Sequence, residues 1–146
     1  METVKDILEH KGTDQVWFVT PETSAREALH LMAEKNVGAV PVMNQDGSMA
    51  GIFSERDYAR KTLSLEDDPL NAHVRDLMST KVMCIRPTTT VEECMALMTE
   101  SRIRHLPVYE GDHLKGIVSI GDVVKATIAE KEFVIEQLEH YITGSL

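Results

Sequence analysis

The sequence lacks the features that mark membrane, secreted and metal-binding proteins. No apolar run approaches the ~20 residues that a membrane-spanning helix needs. Residues 1–6 contain neither the apolar core of a signal peptide nor the Arg/Ser-rich pattern of a transit peptide, so we expect a cytoplasmic protein. The two cysteines, Cys84 and Cys94, form no CxxC motif and have no metal-site spacing. We expect them to be reduced, partly buried thiols.

Catalytic motifs are also missing. The chain has no GxGxxG, P-loop, HExxH or GxSxG pattern, and its 6 histidines are scattered without metal-ligand spacing. The sequence brings no nucleophile and base together. We therefore expect a protein without enzymatic activity, catalytic cofactor or metal.

Positive charge is scarce. The chain has 15 Lys and Arg against 24 Asp and Glu, and its formal net charge is −9. Non-specific nucleic-acid binding is driven mainly by Lys and Arg on phosphates, so we expect no nucleic-acid partner and, without an apolar anchor, no membrane partner. A small phosphorylated ligand stays compatible with this charge, because a pocket needs only a few local cations.

What the sequence does contain is an internal repeat, which must be found before the fold is assigned. Residues 16–42 match residues 82–108, and after a one-residue deletion in a turn the match continues to the end of each copy. A lead-in segment, residues 4–8, also resembles residues 74–78. The identical pairs are Val16/Val82, Pro21/Pro87, Thr23/Thr89, Glu27/Glu93, Leu31/Leu97, Met32/Met98, Glu34/Glu100, Pro41/Pro107, Val42/Val108, Gly51/Gly116, Ile52/Ile117, Ser54/Ser119, Asp57/Asp122 and Thr62/Thr127.

Each copy is predicted to form a β-α-β-β-α unit. A short apolar strand ends at a proline, and a helix follows whose start has capping-box spacing, Ser/Thr-x-x-Glu. Two further strands surround a polar turn, and a last helix begins near a serine. The predicted strands are residues 16–19, 39–42 and 51–53 in the first copy and 82–85, 105–108 and 116–118 in the second. The fold class is therefore α/β (α+β), with two units packed in pseudo-twofold symmetry.

The predicted boundaries follow the repeat. Ser64–His73 is a polar, proline-containing linker, and Ala129–Ile142 has the pattern of a terminal helix. The predicted domains are 1–68, which includes the lead-in helix, and 69–130, followed by a helical tail over 131–146. We favour packing of this tail on the core over packing on a second chain.

Both copies carry the pattern Gly-apolar-apolar-Ser-x-x-Asp where a strand ends and a helix begins. Helix N-termini expose unpaired N–H groups and a positive dipole end, which favour anions. Asp57 and Asp122 could accept hydrogen bonds from a ribose diol. The alternative is that these residues only form capping boxes with Ser54 and Ser119. Both interpretations stay open, and they are compatible.

A cluster of cations precedes one predicted strand of the second copy. Arg104 and His105 are candidate phosphate ligands, because guanidinium groups suit bidentate phosphate recognition. Their alternative role, which we favour for Arg102, is to complement a helix C-terminus. The first copy has no cation over residues 36–40, so the two sites should differ in affinity.

The first copy has cations elsewhere. Arg56 and Arg60 lie one turn apart at the start of its last helix, where they are either phosphate ligands or solvated partners of nearby carboxylates. An adenine slot is expected at residues 15–18 and 80–84, although core packing explains these side chains equally well. The candidate ligand-binding residues are Trp17, Val40, Ser54, Arg56, Asp57, Arg60, Thr80, Val82, Met83, Arg104, His105, Leu106, Pro107, Ser119 and Asp122.

This duplicated pattern resembles the CBS domain, named for cystathionine β-synthase, two of which form a Bateman module. The resemblance covers roughly residues 4–128. It implies two domains packed through their sheets, with clefts that bind AMP, ADP, ATP, NAD(H) or S-adenosylmethionine. It also implies that Asp57 and Asp122 hold ribose hydroxyls and that the module dimerises.

Two functions from different classes follow. The leading hypothesis is a regulatory module that binds an adenosyl nucleotide, AMP or NAD(H) first and ATP or ADP as alternatives, and signals to an unidentified protein target. The alternative is a structural or dimerisation module with no physiological ligand, in which the two aspartates serve only as helix caps. A nucleotide hydrolase is disfavoured because the sequence shows neither a metal site nor a base.

Overall fold

The computed structural model describes residues 2–12, 16–64 and 68–143. Helices and strands alternate along the chain as the repeat requires. In order they are α1 (Val4–Lys11), α2 (Ala25–Lys35), β1 (Ala39–Met43), β2 (Met49–Ser54), α3 (Glu55–Lys61), two 3₁₀ turns (Thr62–Ser64 and Pro69–Asn71), α4 (Val74–Leu77), α5 (Val91–Ser101), β3 (His105–Glu110), β4 (His113–Ser119) and α6 (Ile120–Thr143).

The chain forms two compact units, each built on one repeat. The first-repeat unit is Trp17–Val82, and the second-repeat unit combines Met1–Val16 with Met83–Leu146. The units differ from the predicted segments 1–68 and 69–130 in their lead-in helices. Helix α1 packs with the second repeat and α4 with the first, because each lead-in buries its apolar residues on the sheet of the other copy.

In the first-repeat unit, β1 and β2 pair antiparallel and α2 covers them. The helix begins where the capping spacing predicts, since the Ser24 hydroxyl accepts a hydrogen bond from the Glu27 amide at 3.1 Å. It ends at Asn36, whose φ of 55° is left-handed. Phe53 and Met32 are the largest fully buried side chains of this core.

The second-repeat unit has the same plan. Strands β3 and β4 pair antiparallel, and the Thr90 hydroxyl accepts from the Glu93 amide at 3.1 Å to begin α5. Helix α5 ends at Arg102, whose φ of 54° makes it a left-handed C-cap. The core contains residues from α1, α5, both strands and the start of α6: Val4, Ile7, Ile85, Val91, Cys94, Met98, Leu106, Val108, Val118 and Val123.

The predicted first strand of each copy is wrong. Residues 16–19 and 82–85 form no strand; Val19 makes a single parallel bridge to Val42, and Ile85 makes one to Val108.

Prolines explain why each bridge stays single. To extend the Val19–Val42 bridge into a parallel ladder, the next hydrogen bond towards the N-terminus must be donated by the N–H of residue 41. The next one towards the C-terminus must be donated by the N–H of residue 21. Both residues are prolines and have no N–H. The second copy has prolines at the matching positions, 107 and 87, so its ladder is blocked in the same way.

The C-terminal region also differs from expectation. Helix α6 runs without interruption over Ile120–Thr143, so the last helix of the repeat and the predicted tail helix are one element. After Gly121 no glycine or proline interrupts it. The expected core packing of the tail is wrong, because residues 131–143 are exposed; residues 144–146 lie outside the described part of the chain.

The linker and the cysteines are partly as expected. Within the predicted linker, Pro69–Asn71 forms a 3₁₀ turn, and residues 65–67 lie outside the described ranges. Both cysteines are free thiols, but only Cys94 is buried and Cys84 is exposed. Burial raises the pKa of Cys94 to about 11, so this thiol stays protonated at neutral pH and is a core side chain.

Matched glycines in the two repeats should respond differently to substitution. A Cβ on Gly51 would lie 2.5 Å from the Ser79 carbonyl oxygen, whereas a Cβ on Gly116 would meet the end of the Leu8 side chain at 2.9 Å. A backbone oxygen cannot move away as a leucine methyl can. We therefore expect Gly51→Ala to lower the free energy of unfolding by about 1–3 kcal/mol and Gly116→Ala by less. Urea unfolding of both variants measures this, and equal losses would contradict the account.

Candidate functional site

The candidate site of the second-repeat unit lies where β4 ends and α6 begins. The Ser119 amide donates to Asp122 Oδ2 at 2.9 Å, and the Asp122 amide donates to Ser119 Oγ at 3.1 Å. This reciprocal pair is a capping box. The capping interpretation of Ser-x-x-Asp is therefore correct for this copy.

The matching junction of the first-repeat unit has the same geometry. The Ser54 amide donates to Asp57 Oδ2 at 3.1 Å, the Asp57 amide donates to Ser54 Oγ at 3.0 Å, and the Ser54 hydroxyl lies 2.9 Å from Asp57 Oδ2. Capping leaves acceptor capacity, because a carboxylate has two oxygens and about four lone-pair sites. Each aspartate can therefore cap its helix and still accept a ligand hydroxyl.

Asp122 has a further partner that the sequence did not indicate. Lys11 Nζ, at the end of α1, lies 3.0 Å from Asp122 Oδ2 and donates to the Ile117 carbonyl oxygen at 3.0 Å. Burial disfavours the charged carboxyl, but the Ser119 amide and the Lys11 ammonium together outweigh it and lower the pKa of Asp122 below its usual value. Asp122 is therefore a charged acceptor at neutral pH.

Asp57 has a lysine on its own helix instead. Lys61 Nζ lies 3.7 Å from Asp57 Oδ1 and donates to the Met78 carbonyl oxygen at 3.0 Å. This pair has i,i+4 spacing on α3 and is local in sequence. The two motif aspartates thus share a cap but differ in the element that supplies their cation.

The backbone brings Arg104 and His105 to the same end of the sheet as Ser119. His105 pairs with Ser119 across β3 and β4, and the Ile120 amide, at the start of α6, donates to the Arg104 carbonyl oxygen at 2.8 Å. The Arg104 side chain is exposed and His105 is half-buried. Arg102 is the C-cap of α5, as the helix-terminus interpretation predicted.

Two apolar candidates lie in the cores. Val40 and Leu106 are fully buried, on β1 and β3, and Pro107 beside Leu106 is also buried. Their side chains pack in the interior of their own units. These residues could therefore contact a ligand only through their backbone atoms.

The remaining candidates lie on the surface or at its edge. Arg56 and Arg60 are exposed on α3. Trp17 is half-buried and packs on the first-repeat core, with Lys35 Nζ 4.2 Å from the centroid of its ring. Of the other adenine-slot residues, Thr80 is exposed and Val82 half-buried in the first-repeat unit, Met83 packs on the second-repeat core, and residue 15 lies outside the described chain.

A cavity of about 240 Å³ adjoins Asp122 in the second-repeat unit. Lysine side chains from two helices, α1 and α6, line it. The sequence did not indicate this, because α1 is remote in the chain from α6. The lining residues are Glu2, Ile7, His10, Lys11, Asp122, Lys125, Ala126 and Ala129.

Over residues 2–12, 16–64 and 68–143, no group of His, Cys, Asp and Glu could hold a metal ion. No helix in the same ranges is long and apolar enough to cross a bilayer.

Comparison with known proteins identifies the family. The model of the CBS domain matches the chain twice, over residues 3–64 and 74–129. The chain is 36% identical to the mitochondrial CBS domain-containing protein CBSX3 of Arabidopsis thaliana, over 97% of the chain and 72% of that protein.

Solved structures agree. The crystal structure of the CBS domain NE2398 has a TM-score of 0.81 and 40% identity, over 88% of this chain and 99% of that one. The crystal structure of CBSX2 in complex with AMP has a TM-score of 0.68 and 31% identity, over 90% and 99%. The chain belongs to the CBS-domain family and is a tandem pair of these domains.

Proposed function

We propose that this protein is a non-catalytic regulatory module that binds an adenosyl nucleotide, AMP or NAD(H) first and ATP or ADP second, and signals its presence to a protein target. The carrying observation is Asp122, a half-buried carboxylate held in a fixed orientation by its cap at the start of a long helix. Such a group is suited to accept both hydroxyls of a ribose.

The phosphate would lie near the same junction. The Arg104 carbonyl oxygen is bonded to the first amide of α6, and His105 pairs directly with Ser119. Arg104 and His105, both able to donate hydrogen bonds to a phosphate, are thereby brought close to a helix N-terminus, which itself favours anions. Together, a ribose acceptor and phosphate donors occupy one end of one sheet.

The first-repeat site is proposed to bind more weakly. It has the same Ser54 and Asp57 cap, but the residues aligned with Arg104 and His105 are Gly38 and Ala39. Arg56 and Arg60 on α3 are the cations that could compensate. We expect unequal affinities at the two aspartates for this reason.

AMP is favoured by the relative CBSX2, which was crystallised with it. NAD(H) contains the same adenosine half and stays in the proposal on that ground. A cytoplasmic location also stays a prediction from the sequence, because the Arabidopsis relative is named as mitochondrial.

The structural module without a ligand is the second candidate. The observation in its favour is that both aspartates already serve as caps. If this candidate is right, replacement of either aspartate should lower the free energy of unfolding and leave nucleotide affinity unaffected.

Nucleotide binding can be tested by thermal shift and calorimetry with AMP, ATP, NAD, NADH, S-adenosylmethionine and adenosine. A ligand at ~100 times its Kd should stabilise the protein by roughly 2.7 kcal/mol, which is about 5–10 °C in Tm for a chain of this size. No shift with any of these ligands would contradict the regulatory proposal and favour the structural module.

Variants then locate the site. Asp122→Ala and Arg104→Ala should each weaken AMP binding by about one to two decades, since charge-assisted hydrogen bonds contribute roughly 1.5–3 kcal/mol. Arg104→Ala should weaken adenosine binding far less. The matched control is Arg102→Ala, two residues away at the C-cap. Equal losses for AMP and adenosine in Arg104→Ala would contradict a phosphate role.

We also propose that the protein is a homodimer and that helix α6 forms part of its interface. An apolar stripe on α6 is 42% to 79% exposed, and monomeric proteins rarely expose a large contiguous apolar patch. It lies about 100° around the helix from Val123, which packs in the core. The stripe is Val124, Ile128, Ile135, Leu138 and Ile142.

The spacing of this stripe favours a second copy as its occupant. Isoleucines recur every seven residues at 128, 135 and 142, and Val124 and Leu138 lie at further core positions of the same heptads. Lys131 holds the core position between Ile128 and Ile135, so the pattern is that of a two-helix seam with one cation in it. An antiparallel pairing of Ile128 with Leu138 also places Lys125 of each copy beside Glu139 of the other. A parallel pairing offers no such opposite charges.

Ile128→Glu should shift the protein towards monomer, because it buries a charge against Leu138 of the other copy. Gln137→Glu adds the same charge off the seam and is the control. Analytical ultracentrifugation measures the dimer fraction of both variants.

Charge reversal tests the antiparallel direction of the pairing. Lys125→Glu should weaken the dimer, and addition of Glu139→Lys should restore it. A monomeric wild-type protein, or a dimer unaffected by Ile128→Glu, would contradict this interface.

A further inference from the structure

The contact between Lys11 and Asp122 joins two elements that are far apart in the chain, since the two positions are separated by 111 in the sequence. Lys11 is the last residue of α1, and Gly12 follows in a left-handed conformation with φ of 70°. Its ammonium bridges the Asp122 carboxylate and the Ile117 carbonyl oxygen, both at 3.0 Å. The end of α1 is thereby attached to the junction between β4 and α6.

This contact uses acceptor capacity that a ribose would need. Asp122 Oδ2 accepts from the Ser119 amide at 2.9 Å and from Lys11 at 3.0 Å. Two hydrogen bonds fill the lone-pair directions of one carboxylate oxygen. A ribose diol that binds both oxygens of Asp122 must therefore displace the lysine and not the amide, because the amide belongs to the helix cap.

The last turn of α1, residues 9–12, is held by little else. Val4 and Ile7 are buried and Leu8 packs on the core, but Glu9, His10 and Lys11 are exposed. The cavity beside Asp122 leaves room for the Lys11 side chain to move. Loss of the Lys11 contact would release residues 9–12 without exposing core side chains.

We propose that Lys11 is an internal competitor of the nucleotide for Asp122, so that nucleotide binding releases the last turn of α1. This inference rests on the proposed function and adds the conformational response that a signalling module requires. Ligand and lysine compete for one carboxylate, so the ligand has a different affinity for the attached and released states, which is the condition for a switch.

The first-repeat site lacks this coupling. The cation beside Asp57 is Lys61, one turn along the same helix. Its displacement would break one hydrogen bond from α3 to the Met78 carbonyl oxygen at the C-cap of α4, but α4 itself places no cation on Asp57. We therefore assign the release of a lead-in helix to Asp122.

Lys11→Met tests the competitor role, because methionine keeps the apolar stem and removes the charge. A partly exposed ion pair contributes up to about 1 kcal/mol, so its removal should raise affinity about two- to fivefold. Calorimetry should show this gain for adenosine and AMP alike, since both contain the ribose. Lys5→Met, an exposed lysine on the same helix, is the control and should leave both affinities unchanged.

The outcomes separate this inference from the proposed function. If Asp122→Ala weakens AMP binding and Lys11→Met has no effect, the site is right and the competitor role is wrong. If Lys11→Met weakens AMP more than adenosine, Lys11 is a phosphate ligand and the proposal is overturned. If Asp122→Ala also leaves affinity unchanged, the proposed function itself fails.

Hydrogen exchange measures the release directly. Saturating AMP should speed exchange of the amides at residues 9–12 in the wild-type protein. In Lys11→Met these amides should exchange quickly without AMP, and AMP should add little. Exchange at residues 9–12 that is unchanged or slowed by AMP in the wild type would overturn the proposal.

Discussion

The reciprocal hydrogen bonding of serine and aspartate at each strand-to-helix junction is the constraint on which the rest of the structure depends. Each pair satisfies the amides that begin a helix and ties that helix to the strand before it. It also holds a carboxylate in one orientation at the helix start. The same bonds that a purely structural interpretation requires therefore prepare the group that a ligand would use.

The two junctions share this cap but not their surroundings. At Asp122 the cation in contact comes from a remote helix, as Lys11, and the backbone of β3 brings Arg104 and His105 to the same end of the sheet. At Asp57 the cation is Lys61, one turn away. The two junctions of the duplicated unit therefore differ: Asp122 pairs with a lysine from another helix, and Asp57 with a lysine of its own helix. For this reason we do not expect one ligand to occupy both junctions equally.

Much of the fold could be predicted because its signals are local. The spacing of Ser24 and Glu27, and of Thr90 and Glu93, located both helix starts. The absence of the first strands also has a cause that the sequence shows, because prolines, which lack an N–H, flank each bridge on both chain segments. A count of the available N–H donors, beside the apolar run, would have predicted a single bridge.

Other features could not be predicted, because they depend on tertiary contacts. The position of Lys11 follows from the packing of α1 on the second repeat, which no residue spacing encodes. The sequence did not indicate that the side chains of Val40 and Leu106, two candidate ligand contacts, are fully buried, because alternation along a strand does not reveal which face a second layer covers. The exposed tail of α6 shows the same problem: its apolar stripe is plain in the sequence, but its partner is not.

A crystal structure of the full chain with AMP would test the central claim most directly. The account predicts ribose hydroxyl oxygens about 2.5–3.0 Å from the Asp122 carboxylate, with the Ser119 amide bond retained and Lys11 Nζ beyond hydrogen-bonding distance. AMP bound elsewhere, with Lys11 still 3.0 Å from Asp122, would contradict it.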